Sequence, residues 1–273
     1  MSTDDNSAVP KRDLVQSFGR GLAVIRAFSS GGTEMTLSEV AGISGVTRAA
    51  ARRFLLTLTE LGYVHTDGKH FSLRPTILEI GNAYLSGMGL GDVARPHLQK
   101  LVELVEDSSA LCVLSGDDIA YVALSRVHAR RMALNVSIGT QVPAYPTSMG
   151  RILLAAQPEQ WRTDYLARCD LRQLTPYTVS DPAKLGAILD RVPRDGFAIV
   201  DQELDVGLRS IAVPVHKPDG SVHGALNTST FVSRRSVEDL RNDVLEHLRA
   251  TAREIEADLR AIGNRRTGMA FEQ

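Results

Sequence analysis

Cysteine is scarce in this chain: 273 residues carry two, Cys112 and Cys169, far apart and in no metal-ligand spacing. That pattern excludes a disulfide scaffold and fits a reducing compartment. Long apolar runs are missing too. No stretch approaches the roughly 20 residues a bilayer span needs, and the polar, acidic start MSTDDNSAVPKRD has no apolar core for a signal peptide. The expectation is a cytoplasmic protein with no membrane partner. An excess of one charge is also lacking. With 31 Lys+Arg against 32 Asp+Glu the net charge is −1, so nucleic-acid binding has to rest on a local cluster. Catalytic signatures are absent: there is no G-x-S-x-G elbow and no Walker loop. Gly87-Met-Gly-Leu-Gly91 lacks a preceding strand and the dinucleotide spacing, and reads as a hinge. His216 and His223 flank a turn without a third ligand. Glu203 and Asp205 have no visible nucleophile or base and read as loop polars, and Cys112 reads as a small core residue. No catalytic residue, metal or cofactor is expected.

What is present is concentrated in residues 36–74. Thr36-Leu-Ser-Glu39 fits a capping box. A short helix follows, then Ser44-Gly45-Val46, of the length and composition of a tight turn between crossing helices. Thr47 caps a second helix. Ala51, Phe54, Leu55, Leu58 and Leu61 recur on its inner face, while Arg48, Ala49, Arg52 and Arg53 lie near its start on other faces. Gly62 ends it, and Asp67-Gly68 between Tyr63–Thr66 and Lys69–Leu73 predicts a two-residue hairpin. Box, turn, basic helix and hairpin in this order spell a winged helix-turn-helix with double-stranded DNA as partner. The start of a recognition helix enters the major groove, where small residues allow close approach and arginine pairs with guanine or phosphate. The candidate contacts are Thr36, Ser38, Thr47, Arg48, Ala49, Arg52 and Arg53, with Lys69, beside His70, on the wing. The competing reading is an ordinary helical hairpin with a solvated arginine face.

Around this run the chain divides into a disordered tail (1–13), the winged domain (14–74) with a first helix over Ser17–Phe28, a linker helix (75–91), a second domain (92–265) and a tail (266–273). The linker helix carries Ile77, Leu78, Ile80, Tyr84, Leu85 and Met88 as an apolar stripe suited to dimerisation. The second domain alternates helix and strand patterns: helices over 93–105, 150–156, 158–167 and 181–191, strands over 109–114, 119–125, 133–136, 197–200, 208–215 and 222–228, and a long final helix opened by Ser236 and Asp239 and ending near Ile262. This predicts an α+β fold with a largely antiparallel sheet. Three stretches put small polar residues where apolar ones are expected: Pro146–Gly150, Gly207–Ser210 and Asn227–Ser229. Converging, they would make a cage of amides, hydroxyls and the Arg209 guanidinium for a small carboxylate. The equally open alternative is a cap, a surface charge and a strand end.

Taken together, Ser17–Ile25, TLSEVAGISGVTRAAARRFL, Gly139–Pro143 with Thr147–Ala155, and Asp201–Pro214 resemble the IclR family of bacterial transcription regulators over about residues 14 to 264. Arg48–Phe54 and Gly207–Pro214 are most similar to its protocatechuate, 4-hydroxybenzoate and β-ketoadipate branch. The resemblance implies a winged helix-turn-helix joined by a helix to a GAF-like α/β effector-binding domain. It also implies homodimers, often paired into tetramers, on palindromic promoter DNA. For the effector it implies a pocket built from Ser148, Met149, Gly150, Ser210, Asn227, Thr228 and Ser229, to which the residue pattern adds Arg209. Some relatives carry an acidic residue at the position of Val200 and a cysteine at that of Ser210. The difference favours an aromatic or dicarboxylic acid. The alternatives are a regulator of another pathway with a glyoxylate- or pyruvate-like effector, a small-acid hydrolase with a winged-helix appendage, and a winged-helix protein-interaction module.

Overall fold

The computed structural model describes residues 14–80, 89–127 and 136–269. The chain separates into two units on either side of residues 86 and 87.

In the first unit, α1 (Gln16–Gly31) is followed by β1 (Met35–Thr36), α2 (Leu37–Ser44), α3 (Arg48–Glu60), β2 (Val64–Thr66) and β3 (His70–Leu73). The predicted capping box is present: the Glu39 amide donates to Thr36 Oγ1 and the Thr36 amide to Glu39 Oε2 at 2.7 Å. Gly45 ends α2 in the left-handed region at φ 68°, which turns the chain toward the Thr47 cap of α3. Val24, Phe28, Met35, Val40, Leu55, Val64 and Phe71 pack into one core. Two features differ from expectation. The short β1 joins β3, giving a three-stranded sheet in the order β1-β3-β2. The wing turn is longer than two residues, because Thr66 pairs with Phe71. Asp67 Oδ1 accepts from the amides of both Lys69 and His70, a side-chain turn that displaces the tighter hairpin.

Pro75–Ile77 forms a 3₁₀ turn that continues as helix to Ile80. The rest of the expected linker helix, the start of the glycine hinge, most of the 133–136 strand and both chain ends lie outside the described residues.

The second unit holds a six-stranded antiparallel sheet in the order β6-β5-β4-β9-β8-β7. Its strands are β4 (Ser108–Ser115), β5 (Asp118–Ser125), β6 (Gln141–Pro143), β7 (Ala198–Asp201), β8 (Leu208–His216) and β9 (Val222–Phe231). β6 was not anticipated. Two helices cover one face: α4 (Leu90–Val105) and α9 (Leu245–Met269), the latter entered through a Ser236–Asp239 capping box and a π-turn at Leu240–Val244. Helix α9 runs past the expected end near Ile262. Leu98, Leu101, Leu111, Val213, Leu226, Leu248 and Ile255 fill this layer, each large apolar side chain adding about 1.5–3 kcal/mol on full burial. The other face carries α5 (Ser148–Ala155), α6 (Glu159–Arg168), α7 (Pro182–Leu189) and α8 (Val192–Asp195) over a second core that includes Cys112, Tyr121, Met149, Leu153, Tyr165 and Leu185. This is the expected α+β architecture, and Cys112 is the buried core residue anticipated. Among the described residues no helix is long and apolar enough to cross a membrane, and no metal-ligand cluster occurs.

Candidate functional site

On the first unit, Thr47, Arg48, Ala49, Arg52 and Arg53 are all exposed at the start of α3. The three arginines make no ion pair among the described residues, so their charge is uncancelled. Ala51 and Leu55 point into the core, which sets the rotation of the helix. Thr47 Oγ1 accepts from the Ala50 amide and so caps as well as flanks the face. Thr36 is engaged in its capping box, whereas Ser38 is exposed. At the wing tip Lys69 is exposed, while His70 Nδ1 lies 3.2 Å from Asp67 Oδ2. His70 thus braces the wing, and Lys69 makes no ion pair among the described residues. The Asp67 carboxyl is held well below its usual range by the His70 and Lys69 amides; that of Glu39 is lowered by the Thr36 amide and hydroxyl.

On the second unit, the three polar stretches converge in part. A cavity of about 30 Å³ is bounded by Ser148 and Met149 at the start of α5, Ser210 on β8, and Asn227 and Ser229 on β9. Thr147 caps α5 by accepting from the Gly150 amide at 2.8 Å, leaving the first amides of the helix directed outward. Ser148 Oγ donates to Ser210 Oγ at 2.9 Å, and Asn227 Nδ2 donates to Ser229 Oγ at 2.9 Å. Asn227 is oriented by the Ala110 amide, which donates to its Oδ1. Ser210 and Ser229 each accept one bond, so their own protons remain to be donated. Tyr121 also lines the cavity, and burial pushes its phenol pKa up. The polar part of the lining is a set of neutral donors at a helix N-terminus, suited to a carboxylate oxygen, and Pro146, Met149, Val200, Leu204 and Leu208 supply apolar wall.

Three expected pocket residues stand elsewhere. Side chains alternate along a strand. With Leu208 and Ser210 facing the cavity, Arg209 faces the opposite side, where it grips Asp201 through two bonds of 2.9 Å and donates to the Arg235 carbonyl. The cavity consequently has no guanidinium. The same parity turns Thr228 away, onto Ser109 Oγ at 3.0 Å. Gly150 has a different role: a Cβ there would lie 1.9 Å from the Ala144 carbonyl oxygen, so glycine lets the α5 backbone press against the preceding turn.

Sequence reasoning also missed lining residues. Leu204 lies in a loop with no polar signal, Tyr121 is hidden in the apolar pattern of β5, and Leu208 fell inside the Gly207–Ser210 stretch without being singled out. Glu203 was read as a loop polar but is buried: its carboxylate accepts from Arg151 Nη2 at 2.7 Å and from the Val179 amide at 2.9 Å. Burial lowers the Arg151 pKa and Glu203 opposes that shift.

Comparison with known proteins covers both units. The IclR helix-turn-helix domain model matches residues 17–68, and the bacterial transcriptional regulator IclR C-terminal model matches residues 82–257. The chain is 42% identical over 243 residues to the Pca regulon regulatory protein of Pseudomonas putida, covering 89% of this chain and 84% of that protein. A crystal structure from Rhodococcus sp. RHA1 is 47% identical with a TM-score of 0.80, covering 91% of this chain and all of that one. The inducer-binding domain of the PobR transcription factor from Acinetobacter, a double mutant in complex with 3-hydroxybenzoic acid, is 28% identical with a TM-score of 0.57, over 60% of this chain and 96% of that one.

Proposed function

Because the chain belongs to the IclR family of bacterial transcriptional regulators, we propose that its promoter affinity is set by a small aromatic carboxylate bound in the second unit. The observation that carries this reading is the cavity of neutral donors at the start of α5. The acid's carboxylate meets the Ser148 and Met149 amides and the Ser210 hydroxyl, with Asn227, Ser229 and Tyr121 around the ring. The relatives' own attributes support an aromatic acid: one governs the Pca regulon and another holds 3-hydroxybenzoic acid. On the first unit, Arg48, Arg52 and Arg53 bind DNA with Thr47 and Ala49 nearest the groove, Ser38 beside them and Lys69 on a flanking phosphate. Two copies joined through the segment around residues 75–91 would read a two-fold operator, and pairs of dimers would bridge two such sites.

The test is an electrophoretic shift on the region upstream of the protein's own gene, with and without 4-hydroxybenzoate. Salt-dependent binding altered by the acid is expected. Binding that ignores a panel of aromatic acids removes the effector assignment, and no salt-dependent binding removes the DNA assignment. A second reading, a glyoxylate-sized effector, is favoured by the small volume of the cavity. Calorimetry with glyoxylate against 4-hydroxybenzoate separates the two.

A further inference from the structure

A cavity of about 30 Å³ has room for roughly one water, far below the ~300–1,000 Å³ of pockets that enclose organic ligands. An aromatic acid enters only if a wall moves, and the walls differ in how firmly they are held. Tyr121 stands on β5, between β4 and β6; Ser210 and Asn227 stand on β8 and β9, each strand paired on both sides. The start of α5 is pinned where Gly150 meets Ala144. Leu204 is the one lining residue on the loop between β7 and β8.

That loop is short and held at both ends. Gln202 at one end has φ 61° and Gly207 at the other φ 86°, both left-handed. The ends are tied together, Gln202 N donating to the Leu208 carbonyl at 2.7 Å and Gly207 N to Gln202 Oε1 at 3.1 Å. Glu203 is fixed by Arg151, by the Val179 amide, and through its carbonyl by Thr178 Oγ1 at 2.6 Å. Beyond it, Leu204 and Asp205 are half-buried and Val206 is 59% exposed. Leu204–Val206 thus carries the fewest ties in the loop, the Asp205 carbonyl accepting from the Leu208 amide at 3.2 Å.

We infer that Leu204 is the specificity-determining residue for effector size: its side chain fills the space a ring substituent must take, and Glu203 and Arg151 position it there. The inference rests on the effector reading above. Full-length protein is titrated calorimetrically with 4-hydroxybenzoate and with its bulkier 3,5-dimethoxy derivative. Leu204→Ala should shift the ratio of the two Kd values toward the bulkier acid by about tenfold or more. Leu204→Trp should weaken both acids by at least about tenfold. Glu203→Gln keeps an acceptor for Val179 but loosens Arg151; it should raise the effector's release rate in stopped flow, a change that lost stability alone does not produce. A ratio within about twofold of wild type in Leu204→Ala, with 4-hydroxybenzoate still bound, overturns the inference alone. Failure of both wild type and Leu204→Ala to bind any acid overturns it together with the reading beneath it.

Discussion

Replacing Glu203 by leucine tests the Arg151–Glu203 pair most directly. Both side chains are buried, with relative exposures of 4% and 8%, so solvent does not take over when one is removed. In Glu203→Leu the guanidinium keeps weak bonds to the Tyr145 carbonyl at 3.3 Å and the Ile199 carbonyl at 3.5 Å, and loses its counter-charge. Leaving one member of a buried pair uncompensated costs about 3–5 kcal/mol. For a unit of this size, each kcal/mol lowers Tm by about 2–4 °C, so a fall of about 6–20 °C is expected. Arg151→Met with Glu203→Leu removes both charges and should recover most of that loss, because a well-packed apolar pair is often neutral or better. Trp161 is the chain's single tryptophan and stacks on Tyr165 at 5.4 Å, so its fluorescence reports the second unit alone. A single variant melting within about 2 °C of wild type, or a double variant no better than the single, refutes the reasoning.

Other perturbations follow from the same geometry. Gly150→Ala drives a methyl into the Ala144 carbonyl; a loss at or above the ~3 kcal/mol typical of severe overpacking is expected in Trp161-detected urea unfolding, and a variant as stable as wild type contradicts the contact. Arg52→Ala should weaken operator binding by about 1–3 kcal/mol with altered sequence preference if it reads a base; a uniform loss with a salt slope smaller by about one marks a phosphate contact, and unchanged affinity removes it from the interface. Ser210→Ala should weaken the acid by about 0.5–1.5 kcal/mol in calorimetry, and an unaltered Kd places the carboxylate elsewhere. Asp67 and Glu39 are depressed by the amides they accept from. Their stabilisation is therefore present above the ordinary carboxylate range near pH 4 and is lost as pH falls through their folded values. The gap in melting temperature between wild type and the Asp67→Asn/Glu39→Gln variant should be widest near pH 7 and close below about pH 4; a constant gap contradicts the assignment.

The parts of the fold that the sequence spells locally were legible. Thr36 with Glu39, Ser236 with Asp239, and Asp181-Pro182 are each complete within four residues, and the helices they open stand where expected. The main strands showed themselves by alternation and turn residues. Legibility failed where the determining partner is distant. Glu203 looked like a loop polar because Arg151 lies 52 residues away in sequence. β1 and β6 are two and three residues long, too short to carry a pattern. Arg209 and Thr228 were grouped with the pocket because their neighbours Ser210, Asn227 and Ser229 line it, and adjacency in a strand means opposite faces. Leu204 has no signature at all, since an apolar residue in a loop acquires meaning only from the cavity above which the loop folds.

The opposite facing of Arg209 and Ser210 also limits how such a binding site changes over generations. Substitution at Ser210, Asn227 or Ser229 alters what the cavity offers and leaves the far layer intact. Insertion or deletion of one codon within β8 does something else: it exchanges the two faces from that point onward. The Arg209 guanidinium would enter the cavity and the Ser210 hydroxyl would meet the layer where Ile211 and Val213 pack. Ligand preference on this scaffold is therefore free to drift by point mutation, while a length change inside a strand of this sheet is not.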